Sequence, residues 1–287
     1  MIDLHLHSHY SDGTWSPTDL IEHAVALGMS DIALTDHDTT SGIDEAIVRA
    51  AGRLNIIKGV EINTLFYDAD GAHDVHILGY GIDLESPALQ TLLTYQQSAR
   101  IEQMQASCAA IRGAGVDITF EQVAELSGRG AVGKAHLTEA IVRAGGASDV
   151  MEAYTRYTAK SSPYFVERKS TDPFSAVKAI VSAGGIASIA HPGSESYVVP
   201  LISQLIEAGL GAIEVYHRIH DDATRLKYRE FANANHVLIT GGSDCHGPYR
   251  ASETEFYPSI MGEIVLPADD FAVLQKALLT KVLSAKS

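Results

Sequence analysis

Two histidines two residues apart open the chain in Asp3-Leu4-His5-Leu6-His7, and an Asp12-Gly13 pair follows. In an extended segment residues i and i+2 share a face, so His5 and His7 point one way while Leu4 and Leu6 pack behind them. Imidazoles presented like this can hold one cation. A polar strand face can look the same, so the deciding question is whether other segments supply matching ligands.

Several do. Seven β-type runs stand out, at residues 2–7, 31–36, 56–62, 75–80, 186–191, 212–216 and 237–242. Nearly all end in metal-competent residues: His5 and His7, Asp36-His37-Asp38, Glu61, His76, His191, Glu214, and Asp244 with His246. Groups so placed converge on one rim of a parallel sheet or barrel, where catalytic residues gather. His23, His73, His220 and His236 fall instead on expected helices or loops and read as solvent-exposed.

The proposed ligands are His5, His7, Asp12, His37, Glu61, His76, His191, Asp244 and His246, imidazole and carboxylate without clustered thiolate. That mixture suits manganese, iron or zinc and argues against a structural cysteine site. It also exceeds what one ion can use. Three divalent ions against three carboxylates leave a net charge of about +3, which a bridging hydroxide and a phosphate dianion would neutralise. The balance points to a phosphate ester.

Helical patterns between the runs argue for an α/β fold with parallel strands. Ser16-Pro17 and Asp172-Pro173 are helix starts with proline in the first turn. The alternation breaks across residues 90–169, where helices are expected at 87–112, 120–125, 134–144 and 148–158. This divides the chain into a barrel domain, residues 1–89 and 170–287, and a helical insertion, residues 90–169, placed to cover the site. Within the insertion, residues 127–136 form a glycine-rich loop with Arg129 and Lys134 that runs into a helix. Amides at a helix N-terminus with added cations suit a second phosphate, and a solvated capping loop is the alternative. It lacks the Walker pattern.

A 287-residue chain can bury a substantial core, and its net charge of −15 opposes duplex nucleic acid while allowing small phosphorylated ligands. Cys108 and Cys245 form no paired motif, so a reducing compartment fits. With no run of ~20 apolar residues and no basic leader, a cytoplasmic protein without membrane association is expected.

Taken in order, the Asp-Leu-His-Leu-His motif through Asp12-Gly13, Thr35-Asp36-His37-Asp38, Gly59-Val60-Glu61-Ile62, His76-Ile77-Leu78-Gly79-Tyr80, Ala190-His191-Pro192 and Gly242-Ser243-Asp244-Cys245-His246-Gly247 resemble the PHP family, the polymerase and histidinol phosphatase family of the amidohydrolase superfamily. The resemblance implies a distorted (β/α)7 TIM-like barrel with three divalent ions, manganese foremost and zinc, iron or magnesium as alternatives. One ion would take His5, His7 and Asp244, a second His76 and His191, with Glu61 bridging, and a third Asp12, His37 and His246. Asp3, Asp36 and Asp38 would then orient imidazoles.

The insertion after the His-Ile-Leu-Gly-Tyr strand resembles the branch that removes the 3′-phosphate of nucleoside 3′,5′-bisphosphates. Some members of that branch trim short 5′-phosphorylated RNA. The implied mechanism is in-line attack by a metal-bridging hydroxide, with Glu61, His191 and Asp244 catalytic. Arg129, Lys134, His136, Tyr164, Arg168 and His217 are the candidate substrate contacts. The partners expected are a small phosphorylated nucleotide and short oligoribonucleotides. Rival readings are an exonuclease on short RNA, a histidinol-phosphate-type phosphatase and a non-catalytic phosphate sensor.

Overall fold

Seven strands appear in the computed structural model where the apolar runs place them, and the structure describes residues 1–128, 130–248 and 260–284. They are β1 (Ile2–Leu6), β2 (Asp31–Leu34), β3 (Asn55–Asp68), β4 (Gly71–Tyr80), β5 (Ile186–Ile189), β6 (Ala212–Tyr216) and β7 (Leu238–Gly241), paired in that order. A bridge from Leu6 to Cys245, with the His7 amide donating to the Cys245 carbonyl at 2.9 Å, brings the ends of the sheet together. The result is a nearly closed barrel. Helices α1 (Pro17–Ala26), α2 (Ile43–Ala50), α7 (Pro173–Ser182), α8 (Val198–Glu207), α9 (Asp222–Ala234) and α10 (Ala268–Ser284) accompany it. Ser16 caps α1 and Asp172 caps α7 through their side chains, as the proline-marked starts require.

The expectation of an all-parallel sheet is corrected at β4, which runs antiparallel to both neighbours, Asn63 facing His76 and Ile77 facing Ile189. The cause is local. Strands β3 and β4 extend to Asp68 and from Gly71, leaving two residues between them, and so short a loop makes a hairpin; a parallel neighbour needs a crossover of roughly a dozen residues. His76 therefore reaches the rim from the middle of its strand.

Because β4 descends, the chain leaves the barrel at the end away from the site. Helix α3 (Pro87–Gly113) carries it back, since 27 residues span ~40 Å. Its first turns bury Leu89 and Leu93 in the barrel core. Its later turns place Met104, Cys108 and Ile111 in a separate apolar cluster with α4 (Phe120–Ser127), α5 (Lys134–Arg143), α6 (Val150–Ala153) and the π-helical turn Tyr154–Thr158. The four expected helical stretches are all present. Among the described residues, no helix is long and apolar enough to cross a membrane, and Cys108 and Cys245 are free and buried.

Candidate metal centre and adjoining cavity

His5, His7 and Glu61 are fully buried and form the floor of a cluster at the barrel rim. Nε2 of His5 and Nε2 of His7 lie 3.1 and 3.2 Å from Glu61 Oε2, and 3.4 and 3.2 Å from Asp244 Oδ1. His37 approaches Glu61 Oε2 at 3.1 Å, while His76 and His191 approach Oε1 at 3.0 and 3.2 Å. Farther out, His246 Nε2 is 3.2 Å from Asp12 Oδ1. The structure thus gathers all nine proposed ligands in one cluster, five of its imidazoles around Glu61.

These distances suit shared cations. Two ligands about 2.1 Å from one ion lie roughly 3.0–3.4 Å apart at tetrahedral or octahedral angles. Hydrogen bonding explains the packing less well: His7 Nε2, His37 Nδ1 and Asp12 Oδ1 are buried beside carboxylate or imidazole atoms yet make no hydrogen bond. Donor atoms of His5, His7, Glu61 and Asp244 fall within 4.8 Å of one another, as do those of His7, Asp12, His37 and His246, and of His37, Glu61 and His76. The residues present therefore fit divalent metal.

The charge states agree. Burial alone would raise the pKa of Glu61, but His37, His5 and His76 hold it well below the usual carboxylate range. Asp12 and Asp244 are depressed in the same way, against burial, by His246 with His37 and by His5 with His246. Burial pushes His37 down to about 3, leaving the neutral imidazole that can act as a ligand. At His7 burial also favours the neutral ring, but Asp244 and Glu61 outweigh it and bring the pKa up to about 10. A proton is consequently the competitor of a cation there.

Surrounding groups fix the ligands. Glu214, one of the metal-competent strand ends but not among the nine proposed ligands, is fully buried, with Oε1 2.9 Å from His5 Nδ1 and Oε2 accepting the His191 amide at 2.6 Å. His191 (φ 27°) and Asp244 (φ 56°) sit in positive-φ backbone that non-glycine residues rarely adopt. Gly242 leaves no room for a Cβ, which would fall on the His5 backbone amide, so the loop bearing Asp244 lies directly on β1.

The three aspartates expected to orient imidazoles do something else. Asp36 accepts from the Ser8 amide and hydroxyl and from the Ser11 hydroxyl, at 2.6–2.7 Å, and so shapes the loop carrying Asp12. Asp3 holds the Ser243 amide and hydroxyl beside Asp244 and also accepts, at 3.3 Å, from the His5 backbone amide. Asp38 turns away to Asn63, Arg100 and Arg168. In each case a short carboxylate meets backbone amides, hydroxyls or guanidinium groups before any imidazole edge. His220, expected in solvent, is buried and bonded to the carbonyls of Val215 and Pro192.

A cavity of about 380 Å³ adjoins the cluster at His76, between the β3–β4 hairpin, α3, α5 and residues 157–168. Lys134, Tyr164 and Arg168 line it, with Arg100 and Lys160. Lys134 begins α5, and burial lowers its pKa. His136 does not line the cavity; buried, it accepts the Gly133 amide at its Nδ1 and caps α5. His217 lies among the ligands, its Nε2 3.5 Å from Asp244 Oδ2. Arg129 lies outside the described residues. Arg100 went unnoticed in the sequence, although Gln96, Arg100 and Gln103 form a polar stripe at helical spacing on α3.

A profile of the PHP domain matches residues 3–171. The chain is 34% identical to a 3′,5′-nucleoside bisphosphate phosphatase of Chromobacterium violaceum over 253 residues, 86% of this chain and 87% of that one. It is 31% identical to the 5′-3′ exoribonuclease Rnm of Escherichia coli, covering 86% and 85% of the two chains. A solved structure from Bifidobacterium adolescentis, of a protein proposed to be a metal-dependent phosphoesterase, superposes with a TM-score of 0.83 at 27% identity over 96% of both chains.

Proposed function

The chain belongs to the PHP domain family, and from that premise we propose that it hydrolyses the 3′-phosphate of nucleoside 3′,5′-bisphosphates with three divalent ions, manganese foremost. Its relatives make it a phosphate-ester hydrolase with a site suited to divalent metal. One observation supports the bisphosphate: the cavity beside His76 collects Arg100, Lys134 and Arg168, cations suited to a phosphate that is held and not cleaved. The cavity volume falls within the range of small-molecule sites.

Bound divalent ions would supply Lewis acidity toward the phosphoryl oxygens and an acidified water as nucleophile. Glu61 presents Oε1 to His76 and His191 and Oε2 to His5, His7 and His37, so it would help to hold the ions of both groups. His191, with Nε2 turned to Glu61, would hold an ion there, and Asp244, facing His5 and His7, would hold another with them. Arg100, Lys134 and Arg168 hold the 5′-phosphate, so the 3′-phosphorus meets the cluster. Water oxygen bonds to phosphorus, the P–O3′ bond breaks, and O3′ takes up a proton. Trimming of short 5′-phosphorylated RNA breaks the same bond with a nucleoside on the phosphate.

The test is hydrolysis of a nucleoside 3′,5′-bisphosphate and the matching 3′-monophosphate, read as phosphate release, and of a 5′-phosphorylated dinucleotide, read as mononucleotide release, with manganese added and metal measured on the same sample. The bisphosphate should lead in kcat/KM by about tenfold or more, the worth of one charge-assisted contact. A lead for the dinucleotide would favour the exonuclease, and equal turnover of both monomers would overturn the second-phosphate reading.

A further inference from the structure

Asp38 follows His37 in the chain and is fully buried, yet its carboxylate serves the cavity and not the ligand cluster. Oδ2 accepts from Arg100 Nη2 at 2.6 Å and Asn63 Nδ2 at 2.8 Å, with Arg168 Nη1 at 3.5 Å. Oδ1 takes the Asn63 amide at 3.0 Å and Gln96 Nε2 at 3.2 Å. These partners come from β3, from α3 and from the segment preceding α7. The backbone is equally constrained: the Asp38 amide donates to the Glu61 carbonyl at 2.8 Å, and its φ of 55° is one a non-glycine residue seldom adopts.

We propose that Asp38 is a positioning residue for substrate selection: it holds Arg100 and Arg168 side by side on the cavity wall, at a distance from the metal cluster fixed through Glu61, so that both grip one non-scissile phosphate. This deepens the bisphosphate reading and rests on it. One carboxylate cannot neutralise two guanidinium groups, and two like charges gather at one oxygen only if something holds them. Arg100, Arg168 and Asn63 line the cavity whereas Asp38 does not, so Asp38 acts through its partners. Around the cavity, Arg100, Lys134, Lys160 and Arg168 are set against Asp38 and the lining carboxylates Asp74 and Glu167, which leaves about one positive charge in excess for a phosphate to meet.

Manganese-loaded enzyme is assayed on a nucleoside 3′,5′-bisphosphate and the matching 3′-monophosphate, with metal content measured throughout. In the unaltered protein a kcat/KM ratio well above one supports a second-phosphate site, and a ratio near one overturns that reading itself. Given the preference, Asp38→Asn should lower the ratio about tenfold or more, chiefly through a higher KM for the bisphosphate, and Asp38→Glu should keep more of it. If Asp38→Asn cuts both substrates equally, or loses metal in proportion to activity, Asp38 merely supports His37 and the inference is wrong. Should Asp38→Asn fail to fold, Arg100→Lys, which keeps the charge and loses the planar fork, should lower the same ratio. An unchanged ratio in that variant also refutes the inference.

Discussion

Replacing Glu214 by Gln tests how the ligand cluster is held without touching a proposed ligand. Glu214 is fully buried, and each of its oxygens accepts one hydrogen bond: Oε1 from His5 Nδ1 at 2.9 Å, Oε2 from the His191 amide at 2.6 Å. The first bond keeps the His5 proton on Nδ1, so that once a cation displaces any second proton the Nε2 lone pair faces it beside Glu61 and Asp244. A carboxamide has one acceptor for two donors. If its oxygen takes the His191 amide, its NH2 faces His5 Nδ1 and drives the proton to Nε2, where a cation should bind. If its oxygen takes His5, two N–H groups confront each other at the loop carrying His191. Losing such an orienting partner typically weakens metal binding 10–100-fold, and one unsatisfied buried donor costs about 1–3 kcal/mol. In a domain of this size that is a fall in Tm of a few degrees. The assay is phosphate release against manganese concentration, with metal per chain measured after dialysis. A Glu214→Gln protein whose metal midpoint stays within about threefold of the unaltered enzyme would refute the reasoning.

Asp244→Asn removes a charged oxygen 3.2 Å from His7 and 3.4 Å from His5, so activity and bound metal should fall together; full activity at normal metal content would exclude Asp244 as a ligand. Lys134→Ala removes a cavity cation and should cut the kcat/KM ratio of bisphosphate to 3′-monophosphate about tenfold, and equal losses on both would place Lys134 outside the phosphate grip. Because burial is overruled at His7 and its pKa is brought up to about 10, metal must displace a proton at pH 6–8. Affinity should therefore strengthen with rising pH, by about tenfold per unit for each proton displaced, and chelator competition showing a flat profile would contradict this. Burial pushes the Cys108 thiol up to about 11, so a disulfide reagent at pH 8 should label it only after denaturant is added; rapid labelling of the native protein at Cys108 would count against its place in the helical core.

The site was far more legible than its supports. A candidate ligand in this fold is a histidine or carboxylate in or just after an apolar run, and His5, His7, Glu61 and His191 announce themselves by interrupting runs that are otherwise mostly buried. Which group steadies them depends on loops that meet only in three dimensions. Asp3 finds Ser243 across 240 positions and Asp38 finds Arg100 across 62, and no local pattern encodes either meeting. Arg100 was the exception, since it shares a face of α3 with Gln96, and buried polar side chains at helical spacing mark a helix that faces something other than water or apolar core.

Strand direction was the other thing withheld, and it governs the rest. Burial on both faces marks a strand as central but carries no arrow, so 75–80 fitted a parallel barrel as well as an antiparallel one. The arrow lay in the turn. Ala69-Asp70 alone separates β3 from β4, with Gly71 opening β4 at a positive φ, and a connection that short closes a hairpin. Once β4 descends, a long helix must return the chain to the rim, and that helix brings Arg100 back beside the strand that carries His76. The reversal that the strand pattern hid is thus what sets a cationic wall against the metal cluster, where an all-parallel barrel would have closed the same gap with an ordinary crossover.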